Sequence, residues 1–328
     1  MCHRTPMADR GPAQRIASLL PSATEICYAL GLGDRLIAVT HECDFPPAAR
    51  TKPPVTASAL PTDLQPNSSD VRTGARSAAI DRHVRAEVHS GSSLYALDER
   101  LLDQLRPDLI LTQELCAVCA VSYEIVARAA RRFRGDPRIV SLEPSSLEDV
   151  FANIVTVGEL TETSLQAATV VGELRARCTR IATDVAAIAP PRTLVLEWTD
   201  PPMSGGHWTP GLIELAGGTP ILAHAGANSQ RLAWDAIRQA DPDVVIVAPC
   251  GYDLATTRGA IAALAAVPAW RELRALRAGR IYAVDGNAFV NRPGPRLVDS
   301  AALFAHAIAG RPLEAHLAGS GAIAPITR

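Results

Sequence analysis

The chain has 328 residues, 48% of them hydrophobic, with a formal net charge of -2. That length predicts roughly two domains of ~150 residues with sizeable cores, and the near-neutral charge without a long basic run argues against nucleic acid as a partner. No segment approaches the ~20 apolar residues that cross a bilayer, which argues against membrane insertion.

The opening MCHRTPMADRGPAQRIASLLPSATE has no apolar core of signal-peptide length, so the sequence reads as cytoplasmic, and as periplasmic only if the N-terminus is mis-assigned. Seven cysteines in such a chain are better read as thiols or metal ligands than as a disulfide framework. Arg15 to Pro21 predicts a short strand. Ser22 and Glu25 match a capping box at the head of a helix that runs to Leu30 and is closed by Gly31 and Gly33. Cys27 falls inside that helix as a small core residue.

Leu36 to Thr40 predicts a second strand, which delivers HECDFPP, His41 to Pro47, to its end. Pro61 to Ser77, rich in Pro, Ser, Asn and Gly, reads as an exposed insertion. Helical spacing follows over Ile80 to Val88 and Leu97 to Leu105, with Tyr95 between them.

Two stretches share one pattern. Leu105 to Cys116, LRPDLILTQELC, and Ala240 to Cys250, ADPDVVIVAPC, each follow a helical run and read as a Pro-Asp turn, a buried strand and a cysteine. Continuous apolar runs bounded by turn residues suit parallel strands covered on both faces. Ligands collect at the carboxyl ends of such strands, where Cys116, Cys119 and Cys250 fall.

Val121 to Phe133 predicts a helix and Arg138 to Leu142 a strand. Ser146 to Ile188 is the longest periodic segment, opened by a Ser146/Asp149 cap; as one helix it would extend roughly 60 Å, a stiff bridge between lobes. Arg192 to Glu197 predicts the next strand, followed by EWTDPP and the glycine-rich SGGHWTP. Thr256 to Leu276 reads as helix broken at Pro268, Arg280 to Val284 as the last strand, and Asp285 to Ser300 as a polar loop before a terminal helix.

The loops just past predicted strands hold Cys43, Cys116, Cys119 and Cys250, four of the seven cysteines. Four converging thiolates could bind zinc or an iron–sulfur cluster. Ordinary buried thiols and a redox dithiol are the other readings of the same residues. Trp198 and Trp208, in Gly- and Pro-rich surroundings, suit a flat ligand-facing wall or a core. Arg292 could hold an anion or make a salt bridge. Neither G-x-S-x-G nor a phosphate-binding loop is present.

RIASLLPSATEICYALGLGDRLIAVTHECDFP, LLDQLRPDLILTQ, the long bridging segment, DPDVVIVAPCG and GRIYAVDGNAFVNRPGPRLVD resemble the vitamin B12-binding and iron-complex-binding components of ABC importers, the helical-backbone metal receptor family. The resemblance covers most of the chain outside residues 59–79. It implies an α/β class III substrate-binding-protein fold: two Rossmann-like lobes with parallel-rich sheets, joined by one long helix, with a metal chelate in the cleft. The expected divisions are a flexible start, 1–14; a first lobe, 15–145; the bridge, 146–189; a second lobe, 190–312; and a tail, 313–328. HECD, QELCAVC and PCGYD look like a cytoplasmic, cysteine-containing branch of that family.

The resemblance implies a non-catalytic binding protein for a corrinoid such as cobalamin, with an ABC permease as partner. Phe45, Trp198, Trp208 and Tyr252 are the expected apolar walls. Polar contacts come from His41, Asp44, Asn287 and Arg292, and His41 or His207 is placed to approach the metal. The competing reading is a cytosolic metalloprotein or redox enzyme with iron–sulfur or zinc on Cys43, Cys116, Cys119 and Cys250.

Overall fold

The computed structural model of the chain describes residues 11–61, 64, 75–90, 94–113 and 123–326. Its contacts divide it into two compact units, Met1–Ala57 with Tyr95–Leu142 and Ala152–Val171, and Ser58–Leu94 with Glu143–Phe151 and Gly172–Arg328.

Strand β1 (Ile16–Ser18) leads into helix α1 (Pro21–Ala29), and β2 (Leu36–Ala38) follows a short 3-10 turn. The expected Ser22/Glu25 capping box does not form. Leu20 is the N-cap and makes no side-chain cap bond, while Pro21 enters the first turn, where its missing N–H costs nothing. After β3 (Thr56–Ser58) come α2 (Ala75–Ser90), β4 (Tyr95–Leu97), α3 (Glu99–Leu105), β5 (Leu109–Thr112), α4 (Tyr123–Ala130) and β6 (Arg138–Ser141). Strands β3 and β4 pair with each other, and β2-β1-β5-β6 form a parallel four-stranded sheet.

The segment expected as one rod is two helices, α5 (Leu147–Leu160) and α6 (Ser164–Val185). Ser146 and Asp149 cap the first as their spacing implied, Ser146 Oγ donating to the Asp149 carboxylate at 2.8 Å and accepting from its N–H at 3.2 Å. The rod breaks because Glu162 adopts a left-handed φ of 54° and Thr161 Oγ1 donates back to the Val157 carbonyl at 2.7 Å. A Cβ on Gly158 would lie 2.6 Å from that of Ala167, so this glycine lets α6 fold back tightly on α5.

The second sheet begins with β7 (Arg192–Thr199) and β8 (Pro202–Ser204), followed by α7 (Thr209–Leu215), β9 (Thr219–Pro220), α8 (Trp234–Ala240) and β10 (Val244–Val247). Helices α9 (Leu254–Leu264), α10 (Pro268–Arg271) and α11 (Arg274–Arg277) precede β11 (Ile281–Val284), and α12 (Leu297–Ala309) precedes β12 (Ile323–Pro325). The order is β12-β11-β10-β7-β8, with β9 also on β7. Residues expected as a tail thus supply an antiparallel edge strand, Tyr282 facing Pro325.

The repeated sequence pattern is a repeated structure. Strands β9-β7-β10-β11 are joined in the same parallel order as β2-β1-β5-β6. In each copy the helix before the Pro-Asp turn ends in a left-handed residue, Arg106 (φ 48°) or Asp241 (φ 40°). The turn aspartate then binds the start of the neighbouring strand: Asp108 accepts from Arg15 N at 3.0 Å, and Asp243 accepts from Arg192 N at 2.9 Å. Leu109, Ile110 and Leu111 in one strand and Val244 to Val247 in the other are fully buried. At roughly 1.5–3 kcal/mol per buried aliphatic side chain, these runs anchor the two cores.

Candidate functional site

In the first unit, β2 ends at the loop that carries His41, Cys43, Asp44 and Phe45. His41 Nδ1 lies 2.8 Å from Thr56 Oγ1, and its ring sits 5.6 Å from that of Tyr95. The Tyr95 hydroxyl donates to Glu42 at 3.0 Å. Asp44 pairs loosely with Arg50 at 3.8 Å, and Phe45 is 42% exposed.

Cys43 is held differently. Its buried Sγ lies 3.1 Å from Thr24 Oγ1 and 3.2 Å from Thr40 Oγ1. Burial, together with the proximity of Cys43, pushes the Cys27 thiol up to about 12. Both thiols are packed in the interior of the first unit. Cys116 and Cys119 lie outside the described residues, and Cys250 is a partly exposed thiol in the second unit. Among the described residues, no group of three or more His, Cys, Asp or Glu side chains is placed to hold a metal ion.

The second unit gathers its candidates at the carboxyl ends of β7, β10 and β11. The rings of Trp198 and buried Tyr252 are 5.2 Å apart, and the Tyr252 carbonyl accepts from Asn287 N at 3.1 Å. Buried Arg292 donates to Asn287 Oδ1 at 3.2 Å. Asn287 stands in a single π-helical turn, Gly286–Val290, that Asp285 caps through Ala288 N at 2.7 Å. The Trp208 indole donates to the Val290 carbonyl at 2.9 Å. His207, at a left-handed φ of 49°, stacks on Trp208 at 5.5 Å and bonds Asn228 Oδ1 through Nε2 at 3.0 Å. Trp198, His207, Trp208, Tyr252, Asn287 and Arg292 therefore form one connected wall.

Two acids flank it. Burial lifts the partly buried Glu197 carboxyl to about 7, against hydrogen bonds from Ser229 and Gly206 N that act to lower it. Burial likewise raises Asp285, offset by its bond from Ala288 N. Glu197 ends the strand that the sequence predicts over Arg192 to Glu197, and Asp285 opens the polar loop predicted after the last strand.

Sequence reasoning also missed Ser77, which fell in the stretch read as an exposed insertion. Ser77 is buried, and it touches Trp198, Thr199 and Tyr252. Only the resumption of helical spacing after it, at Ile80, hinted that the chain there was committed to a helix.

A family model described as Periplasmic binding protein matches residues 16–288. The chain belongs to that family. The Vitamin B12-binding protein of Vibrio cholerae serotype O1 is 24% identical over 305 residues, which cover 90% of this chain and 88% of the relative. The Cobalamin-binding protein of Halobacterium salinarum is 26% identical over 298 residues, covering 90% and 69%. Among solved structures, a periplasmic heme binding protein from Pseudomonas aeruginosa superposes with a TM-score of 0.69 at 20% identity, covering 96% of this chain and 99% of its own. The periplasmic vitamin B12 binding protein of Vibrio cholerae gives 0.63 at 23% identity, covering 90% and 96%. These likenesses establish the α/β fold with parallel sheets expected from the sequence.

The family corrects one expectation. The cytoplasmic placement read from the start of the chain does not stand, because the family is that of periplasmic binding proteins and both of these solved neighbours are periplasmic. The iron–sulfur or zinc alternative gains no support from the relatives or from the described thiols.

Proposed function

We propose that this chain is a non-catalytic, periplasmic binding protein that captures a metal chelate, most specifically a corrinoid, for an ABC importer. The observation that carries the reading is the connected wall Trp198–Tyr252–Asn287–Arg292, with Trp208 joined to it through Val290. A flat, mostly apolar macrocycle with polar amide arms is matched by aromatic faces for area and a few fixed polar groups for orientation. Arg292 and Asn287 supply those polar groups. His41 and His207 each have one ring nitrogen held by a neighbour, a pattern that fixes the tautomer in metal-binding histidines. Relatives whose names state vitamin B12 or cobalamin binding support the same ligand class.

Calorimetric titration of the purified chain with cyanocobalamin, and separately with hemin, tests it. Saturable binding of cyanocobalamin near one equivalent, tighter than hemin, is expected. Preference for hemin would move the ligand to the porphyrins, and no saturation with either would overturn the reading.

A further inference from the structure

We propose that α2 is a displaceable cover: its first turn occupies the Trp198–Tyr252 wall in the absence of ligand and lifts away when the wall is used. The Ser77 carbonyl accepts from the Trp198 indole at 3.2 Å, and Ser77 Oγ lies 3.1 Å from the Tyr252 hydroxyl. Thr199 Oγ1 donates to the same Ser77 Oγ at 3.2 Å. One residue of α2 thus reaches the polar edges of both aromatic side chains, sharing the Trp198 indole N–H with the Asp200 carbonyl at 3.1 Å.

Among the described side chains, the most buried part of the attachment is polar. Among the described side chains of α2 the buried ones are Arg76, Ser77 and Asp81, whereas Ile80 and Val84 are only half-buried. One turn beyond Ser77, Asp81 is clasped by Arg231 and by Arg85, the latter at 3.2 Å. The contrast with α12 is sharp, since Leu297, Val298, Leu303, Phe304 and Ile308 all drive that helix into the core. Hydrogen bonds exchange with water at small net loss, while apolar burial does not. A helix seated by the first kind of contact can leave without unfolding the sheet beneath it, as locally opening segments do. A wall that is covered most of the time binds more weakly by the fraction open, so loosening the cover tightens apparent affinity.

The test uses the full chain and its Arg231→Ala and Asp81→Asn variants, which alter the clasp but no residue of the wall. Hydrogen exchange is read over residues 75–90 and over β10, without ligand and with saturating cyanocobalamin. Exchange of α2 well ahead of β10 is expected in the wild type, at least fivefold faster again in both variants. Cyanocobalamin should accelerate α2 further, and its dissociation constant should fall by about the same factor in the variants. Exchange of α2 only at the β10 rate, no change in either variant, or protection of α2 by cyanocobalamin would overturn the cover. The ligand arm rests on the corrinoid reading. If no form of the chain binds cyanocobalamin, that reading falls, and exchange without ligand alone decides the cover.

Discussion

Trp198 and Tyr252 meet with ring centroids 5.2 Å apart and planes inclined at 53°, although they lie 54 positions apart in the sequence. Parallel pairing of β7 with β10, Leu196 opposite Val247, brings those ends together. Such a tilted pair contributes about 0.5–1.5 kcal/mol beyond its buried area. Trp198→Ala should weaken cyanocobalamin binding at least tenfold, about 1.4 kcal/mol, with an unchanged far-ultraviolet circular dichroism spectrum. Trp198→Phe should fall between the two, and equal affinity in all three would remove Trp198 from the site.

The π-helical turn that presents Asn287 depends on a glycine. A Cβ on Gly286 would sit 2.3 Å from the Pro249 carbonyl oxygen, at the end of β10. Backbone cannot yield there cheaply, so Gly286→Ala should cost about 1–3 kcal/mol of stability and shift Asn287 and Arg292 together. A lower melting temperature with weakened binding is expected. A melting temperature identical to wild type would show that the turn tolerates a side chain.

Glu197 predicts a pH dependence. Its carboxyl rises from an ordinary 4.5 to about 7 in the folded chain, so the folded state holds more protons than the unfolded state between those values. Its contribution to stability is therefore present below about 4.5 and is lost as pH rises through about 7. Urea midpoints of the wild type should decline across that window more steeply than those of Glu197→Gln. Parallel profiles for the two proteins would contradict the assignment.

The thiols should differ in reactivity. With its thiol near 12, fully buried Cys27 should resist alkylation at pH 8 until the chain unfolds, while partly exposed Cys250 reacts before it. Mass spectrometry of peptides after brief iodoacetamide treatment checks the order. Early labelling of Cys27 would show that α1 opens far more readily than its packing implies.

Much of this architecture is legible in the sequence because it is locally encoded. The apolar runs of β5 and β10, each after a Pro-Asp turn, announce buried parallel strands, and Asp108 and Asp243 fulfil the same role in both copies. The second unit's candidate residues come together for the same reason: they follow strands, and ends of parallel strands converge. For Cys43, strand-end position says nothing about the direction of the side chain, and its sulfur lies 3.1 Å from Thr24 Oγ1 and 3.2 Å from Thr40 Oγ1. The break between α5 and α6 turns on Glu162, whose backbone angle no propensity dictates. Ser77 was hidden in a polar stretch because its partners Trp198, Thr199 and Tyr252 lie more than a hundred residues away.

The central claim is that a corrinoid rests on the Trp198 wall, and tryptophan fluorescence reads that contact directly. Of the four tryptophans in the chain, Trp234 and Trp270 pack edge-to-face with each other in the core of the second unit. Titration with cyanocobalamin should quench emission saturably in the wild type, and Trp198→Phe should remove a large part of that quenching. Saturable binding by calorimetry with identical quenching in both proteins would place the ligand elsewhere and contradict the account.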